Sequence, residues 1–213
     1  MEIIQSPSPN FTSGRGGKKI VAIVVHITAG LMPGCLSWLR NPKSKASAHY
    51  LVTKAGAIHQ LVQDKDMAWH AGFVNKLMWD LYDGSNPNRY TIGIEFECIS
   101  GGELTEPQYQ AGLWLIDMLC KKYDLPCDTL HIIGHYRIDG LNRPNDPGAN
   151  FPWTRLFKEL REGLEVPEWV KKIMEDAKAV GLITSDHDPN ESAKKWFVLA
   201  IVLNAIKIIK GGK

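Results

Sequence analysis

The sequence lacks an apolar run long enough to cross a membrane. A spanning helix needs about 20 consecutive apolar residues, whereas the best candidate, 196–209, is shorter and contains Asn204 and Lys207. The first residues have no basic start and no apolar stretch ahead of Pro7 and Pro9, so we expect no secretory signal peptide. The sequence therefore predicts a chain made in the cytoplasm that does not insert stably into a membrane.

The sequence also has few cysteines and a small net charge. The four cysteines form neither a CxxC pair nor a regular framework, which predicts reduced thiols rather than disulfides. A net charge of +2 is too small to indicate a nucleic-acid partner. With 44% hydrophobic and 23% charged residues, the composition is typical of a globular protein. The 213 residues allow one domain of about 150 residues and a small addition.

Alternating strands and helices predict a mixed α/β fold with a central, mostly buried sheet flanked by helices. The segments 20–27 and 130–134 are apolar without polar alternation, which is typical of strands buried on both faces. Prolines and glycines between 6 and 17 predict a loop, with order beginning near Ile20. The other expected elements are a hairpin of strands at 49–53 and 57–62, a strand at 90–98, and helices at 33–40, 109–123 and 152–164. The segment Thr105-Glu106-Pro107, with proline near the first turn, marks the start of the second helix.

Two histidines and an aspartate form a candidate metal site. His26 and His135 each come at the end of a predicted buried strand, where a rigid backbone presents side chains to a cleft. Asp146 follows His135 by eleven residues, next to Pro147 and two residues after Pro144. Two imidazoles and one carboxylate leave a fourth position of tetrahedral zinc open to water, whose pKa then falls toward about 7. We therefore expect Zn²⁺ held by His26, His135 and Asp146.

Glu95 is the candidate acid/base residue. In the strand at 90–98, the residues Ile92, Ile94 and Phe96 share one face, and Glu95 and Glu97 share the other, away from the core. A partly buried carboxylate near like charge has a raised pKa suited to moving protons. A solvated sheet face is the plain alternative. A glycosidase with two carboxylates is another, although residues about 7 Å apart on one side of a strand suit it less well.

Six segments, in order along about 20–160, resemble the type 2 N-acetylmuramoyl-L-alanine amidases. That family shares a fold with peptidoglycan recognition proteins and several phage endolysins. The matching segments are Val25-His26-Ile27-Thr28-Ala29-Gly30, Ser47-Ala48-His49-Tyr50-Leu51, Ala68-Trp69-His70-Ala71-Gly72, Ile92-Gly93-Ile94-Glu95, Ile133-Gly134-His135 and Asp146-Pro147-Gly148.

The resemblance implies the same zinc ligands and makes Glu95 the catalytic acid/base. It also implies that His49, Trp69 and His70 line a groove for muramic acid and stem peptide, with an orienting or structural role as the alternative for His70. Relatives often have a lysine two residues before the ligand aspartate, where this chain has Pro144. The neighbouring Arg143 is therefore the candidate for stabilising the oxyanion.

The implied reaction is hydrolysis of the amide between N-acetylmuramic acid and L-alanine in peptidoglycan, which lyses the cell wall. A non-catalytic peptidoglycan-binding module with a broken metal set is the alternative. All three ligand types are present here, which favours an enzyme. Without a signal peptide, such an enzyme is expected to reach the wall only after release from the cytoplasm.

The composition changes after Val166, which predicts a zinc amidase catalytic domain at 1–163 and a small helical domain at 167–213. After Glu191 the chain has no acidic residue but keeps five lysines, so its end is locally cationic. Such a segment is suited to an anionic wall polymer. Packing on the catalytic domain or dimerisation is the alternative, because 196–209 is apolar almost all round and must be covered.

Overall fold

The computed structural model describes residues 1–162, together with 175 and 177–179. The chain divides into two compact units, residues 1–158 and 159–213. Most of the predicted helical domain at 167–213 therefore lies outside the described residues. The elements of the described part are β1 (Ile3–Gln5), β2 (Phe11–Thr12), β3 (Ala22–Ile27), α1 (Gly34–Leu39), β4 (Tyr50–Val52), β5 (Ile58–Gln60), β6 (Met67–Ala68), β7 (Thr91–Phe96), α2 (Glu106–Tyr123), β8 (Ile132–Gly134) and α3 (Trp153–Glu162).

A six-stranded, mostly parallel sheet forms the centre of the first unit, in the order β1-β5-β4-β7-β3-β8. Strand β3 lies between β7 and β8 and runs parallel to both. Its first four residues, 22–25, are completely buried, as expected for an apolar strand covered on both faces. The predicted mixed α/β fold with a buried central sheet is confirmed.

Helices cover both faces of this sheet. In the parallel register Leu51 of β4 lies beside Glu95 of β7, so both face the same side. On that side Leu51 packs in one cluster with Leu39 of α1. On the other side, Phe96 meets α2 so closely that a Cβ at Gly112 would lie 2.4 Å from its ring. No helix among the described residues has both the length and the apolar character that a membrane span requires.

The expectation that order begins near Ile20 is wrong. Strand β1 pairs parallel to β5, and β2 pairs antiparallel to β6. Buried polar side chains also hold this segment, since Asn10 donates to the backbone carbonyls of Asn41 and Ala46. These contacts are made largely by backbone groups and short polar side chains, so no apolar periodicity announces them.

The remaining elements follow the sequence pattern closely. The predicted hairpin is present as β4 and β5, which are antiparallel. Helix α2 begins where expected, because the Thr105 side chain caps it by accepting from the Gln108 backbone N–H. Strand β8 begins two residues later than predicted, because the backbone N–H groups of Leu130 and His131 donate to the Asp128 side chain instead.

Candidate metal centre

The candidate ligands meet at the C-terminal ends of neighbouring parallel strands. His26 is the fifth residue of β3, and His135 directly follows β8. Their ring centroids are 4.6 Å apart, and both residues are buried. His26 pairs in register with Glu95 of β7, so these two side chains share a face. Crevices at the carboxyl ends of parallel strands are where open α/β sheets commonly bind ligands.

Asp146 completes the group from the loop after His135. One carboxylate oxygen, Oδ1, accepts a hydrogen bond of 2.8 Å from the Ile27 backbone N–H. The other oxygen, Oδ2, lies 3.1 Å from His26 Nδ1 and 3.1 Å from His135 Nδ1. The β3 backbone therefore orients Asp146 so that Oδ2 faces both imidazoles.

The geometry of these side chains fits a metal ion. One ligand atom from each of His26, His135 and Asp146 lies within 4.8 Å of the others. Tetrahedral zinc with bonds of about 2.0–2.1 Å separates its ligands by about 3.3 Å, close to the two observed 3.1 Å distances. Burial alone would raise the pKa of Asp146, but the adjacent histidines lower it below its ordinary value. The carboxylate is therefore ionised, as a metal ligand must be.

Glu95 lies beside this group and is available for chemistry. Its side chain lines the same hollow as His26, His135 and Asp146. Its buried Oε2 has no hydrogen-bond partner among the described residues. Burial raises the pKa of Glu95 to about 7, against the opposing effect of His26. A carboxyl group with this pKa can accept and release a proton near neutral pH.

Glu97 corrects the expectation that both acids point away from the core. It lies just beyond β7, is 6% exposed, and accepts hydrogen bonds from the backbone N–H groups of Met32 and Lys54. It does not line the hollow that contains Glu95. Glu97 therefore ties two loops to the sheet, and the two glutamates do not form a solvated face or a catalytic pair.

His49 also differs from expectation, because its side chain does not reach a groove. It is completely buried, its Nδ1 accepts a 2.9 Å hydrogen bond from the Gly93 backbone N–H, and its Nε2 lies 3.1 Å from the Asp66 carbonyl. Burial, reinforced by the Arg15 guanidinium 2.7 Å away, lowers the pKa of His49 to about 3. We therefore correct His49 from a substrate contact to a neutral residue of the interior.

This buried histidine makes stability depend on pH. Its pKa is about 3 in the folded chain and about 6.5 when unfolded, so the unfolded state binds more protons between these values. Stability should therefore fall as pH drops below about 6.5, with His49 contributing about 1.4 kcal/mol per pH unit. The variant His49→Asn keeps an acceptor for Gly93 but cannot titrate. In urea unfolding of metal-free protein, its slope against pH should be shallower by that amount; equal slopes would contradict the assignment.

His70 and Trp69 lie at the groove surface. Trp69 donates through Nε1 to Thr12 Oγ1. The Nδ1 atom of His70 lies 3.0 Å from His26 Nε2, on the side of His26 away from Asp146. Burial lowers the pKa of His70 well below its ordinary value, so the ring is neutral at pH 7. His70 therefore touches both the groove and a candidate ligand.

Two adjoining hollows, of about 270 Å³ and 720 Å³, form the groove. Arg143 is exposed and lines both, so its charge is available on the groove wall. Two largely exposed aromatic side chains extend the lining, Trp38 in the smaller hollow and Phe73 in the larger. The residues shared by both hollows are Ala46, Trp69, His70, His135 and Arg143.

Sequence reasoning missed the residues that hold His70. The Thr91 hydroxyl lies 3.2 Å from His70 Nε2, and the Asn88 side chain accepts from the His70 backbone N–H. Gly93 leaves the space in which the His70 ring lies, since a Cβ there would be 2.5 Å from His70 Cγ. A lone glycine inside a strand signals such a close approach, and this was the one available sign.

The fold and the site together define a class. Two histidines and an aspartate converge at the ends of parallel strands, beside a buried glutamate with a raised pKa. An open set of nitrogen and oxygen ligands with an acid/base residue next to it is typical of metal-assisted hydrolases.

Comparison with known proteins gives the family. Residues 16–149 match the family model described as N-acetylmuramoyl-L-alanine amidase. The N-acetylmuramoyl-L-alanine amidase A of Achromobacter lyticus is 28% identical in an alignment of length 181 that covers 76% of this chain and 95% of that protein. The chain therefore belongs to the N-acetylmuramoyl-L-alanine amidase family and is an enzyme.

Solved structures agree on the fold. A selenomethionine derivative of AmpD superposes with a TM-score of 0.60 at 28% identity, over 75% of this chain and 94% of that one. The amidase AmiD of Escherichia coli gives a TM-score of 0.58 at 24% identity, over 91% of this chain and 72% of that one. It was solved with the substrate anhydro-N-acetylmuramic acid-L-Ala-D-gamma-Glu-L-Lys.

Proposed function

We propose that this amidase is a zinc-dependent enzyme that hydrolyses the bond between N-acetylmuramic acid and L-alanine in peptidoglycan and thereby lyses the cell wall. The main observation that supports this proposal is the convergence of His26, His135 and Asp146 beside Glu95. The family model and the Achromobacter relative bear the name of this reaction. AmiD was solved with a muropeptide substrate, and the two adjoining hollows of this chain, of about 270 Å³ and 720 Å³, offer room for a substrate of that kind.

In this proposal His26, His135 and Asp146 hold Zn²⁺, which when bound polarises a carbonyl group and makes water more acidic. Glu95 takes a proton from the attacking water and passes it to the nitrogen of the departing L-alanine. The carbonyl carbon thus gains a hydroxyl as its bond to nitrogen breaks. A pKa of about 7 suits Glu95 to both steps.

Two groove residues complete the proposed site. The Arg143 guanidinium supplies positive charge on the wall that Glu95 and the metal ligands share, where it would stabilise the developing oxyanion. Trp69 lines both hollows, and its ring offers an apolar surface to the muropeptide.

Product analysis tests the reaction directly. Digestion of purified peptidoglycan should release one new amino group per cleavage, on L-alanine, without new reducing sugars. New reducing sugars would indicate a glycosidase. Binding to peptidoglycan with no product at all would indicate the non-catalytic alternative.

We also propose that the enzyme, made in the cytoplasm, acts at the wall after release, with 167–213 as a small domain that binds an anionic wall polymer. This proposal is supported by the five lysines that follow Glu191 with no acidic residue among them. Replacing Lys207, Lys210 and Lys213 with glutamine should reduce pelleting with purified cell walls about tenfold at low salt, because surface attraction of this kind is screened by ions. Unchanged pelleting would favour packing instead. Activity on soluble muropeptides serves as the control.

A further inference from the structure

The direction of the hydrogen bond between His26 Nε2 and His70 Nδ1 decides whether His26 can bind a metal through Nδ1. His26 Nδ1 faces Asp146, so Nδ1 must offer its lone pair to the ion. A neutral imidazole that binds through Nδ1 carries its proton on Nε2. That proton needs an acceptor, and His70 Nδ1 lies 3.0 Å away.

The chain of contacts continues in one consistent direction. If His70 accepts through Nδ1, its own proton is on Nε2, which is 3.2 Å from Thr91 Oγ1. The Thr91 hydroxyl in turn donates to the Pro87 carbonyl at 2.8 Å. Each group in the row then donates once and accepts once, and the row ends on a carbonyl that can only accept. The opposite direction would place the His26 proton on Nδ1, against Asp146, where a metal ion could not bind.

The surrounding structure fixes the position of the His70 ring. Gly93 of β7 leaves it the space that a Cβ would fill. His49 meets it edge to face, with ring centroids 5.6 Å apart. The Asn88 side chain accepts from the backbone N–H groups of both His70 and Ala71. The ring is thus held from its backbone and from two sides.

We propose that His70 is a positioning residue of the metal centre: it accepts the His26 Nε2 proton and keeps His26 Nδ1 free for the metal, and Thr91 sets the direction of this bond. The inference rests on the proposed zinc function. Replacing the hydrogen-bond partner of a metal-bound histidine typically weakens metal affinity by about 10- to 100-fold. The role of His70 can therefore be measured from zinc binding, without an activity assay.

The test compares three variants by zinc competition with a chromogenic chelator. His70→Ala should weaken zinc binding about 10- to 100-fold. His70→Asn should recover most of the affinity, because its side-chain oxygen occupies the place of Nδ1 and still accepts. Thr91→Val, which keeps the shape and removes the hydroxyl, should weaken binding by a smaller factor. Circular dichroism and thermal unfolding of the metal-free proteins check that each variant is folded.

A second readout does not depend on any variant folding. Nitrogen-15 spectra of the zinc-loaded wild-type protein should show His26 and His70 as neutral rings protonated on Nε2. Protonation of His26 on Nδ1, or zinc binding by folded His70→Ala within twofold of wild type, would overturn the proposal while leaving the amidase function intact. A wild-type protein that binds no zinc would overturn both.

Discussion

Replacing Glu95 with glutamine should lower kcat about a thousandfold while the protein still binds one zinc ion per chain. Glutamine has the shape of glutamate but cannot accept and return a proton. Glu95 lies beside the candidate ligands and outside their converging set, so metal binding should survive the change. Turnover of peptidoglycan and zinc content by metal analysis of the same preparation measure the two effects separately.

Glu97→Gln is the matched control, because Glu97 lies two residues away and is buried but outside the hollow. It should cost stability, since Glu97 accepts two backbone hydrogen bonds, yet turnover of the folded protein should stay near wild type. Wild-type turnover in Glu95→Gln would remove Glu95 from the mechanism. Equal losses of turnover in both variants would instead support a catalytic pair formed by the two carboxylates.

Replacing Asp146 with alanine should abolish both zinc binding and turnover. The change removes Oδ2, the atom that lies 3.1 Å from both imidazoles, and leaves only two ligands. We expect affinity to fall at least about a hundredfold, beyond the range found for partners that do not touch the metal. Zinc competition and turnover measure the loss, and excess zinc should restore little activity.

Asp139→Asn provides the comparison for Asp146. Asp139 is a buried aspartate seven residues earlier, and its carboxylate accepts hydrogen bonds from Asn142 rather than contacting a histidine. Its replacement should leave zinc affinity within a few fold. If Asp146→Ala bound zinc as tightly as Asp139→Asn, the ligand assignment would be wrong.

The interior of the fold could be predicted from sequence because burial imposes a pattern. The apolar run ending at His26 marks β3, and Thr105 marks the start of α2. The pairings of β1 and β2 left no such pattern. Their hydrogen bonds come from backbone groups, which every residue possesses.

The candidate site divides in the same way. His26, His135 and Glu95 could be chosen because a strand fixes where each side chain points, and a proline-flanked loop supplies Asp146. Sequence could not separate His49 from His70, since each lies in a short motif between an alanine and an aromatic residue. Their difference lies in burial: His49 is enclosed and bonded to Gly93, whereas His70 reaches the groove and His26.

Zinc reconstitution tests the central claim most directly. Protein stripped with a chelator and dialysed should have lost its activity on purified peptidoglycan. Added zinc should restore that activity in proportion, up to one equivalent per chain, and the Asp146→Ala variant should remain inactive throughout. Full activity of the stripped protein, verified as metal-free, would contradict a zinc-dependent mechanism.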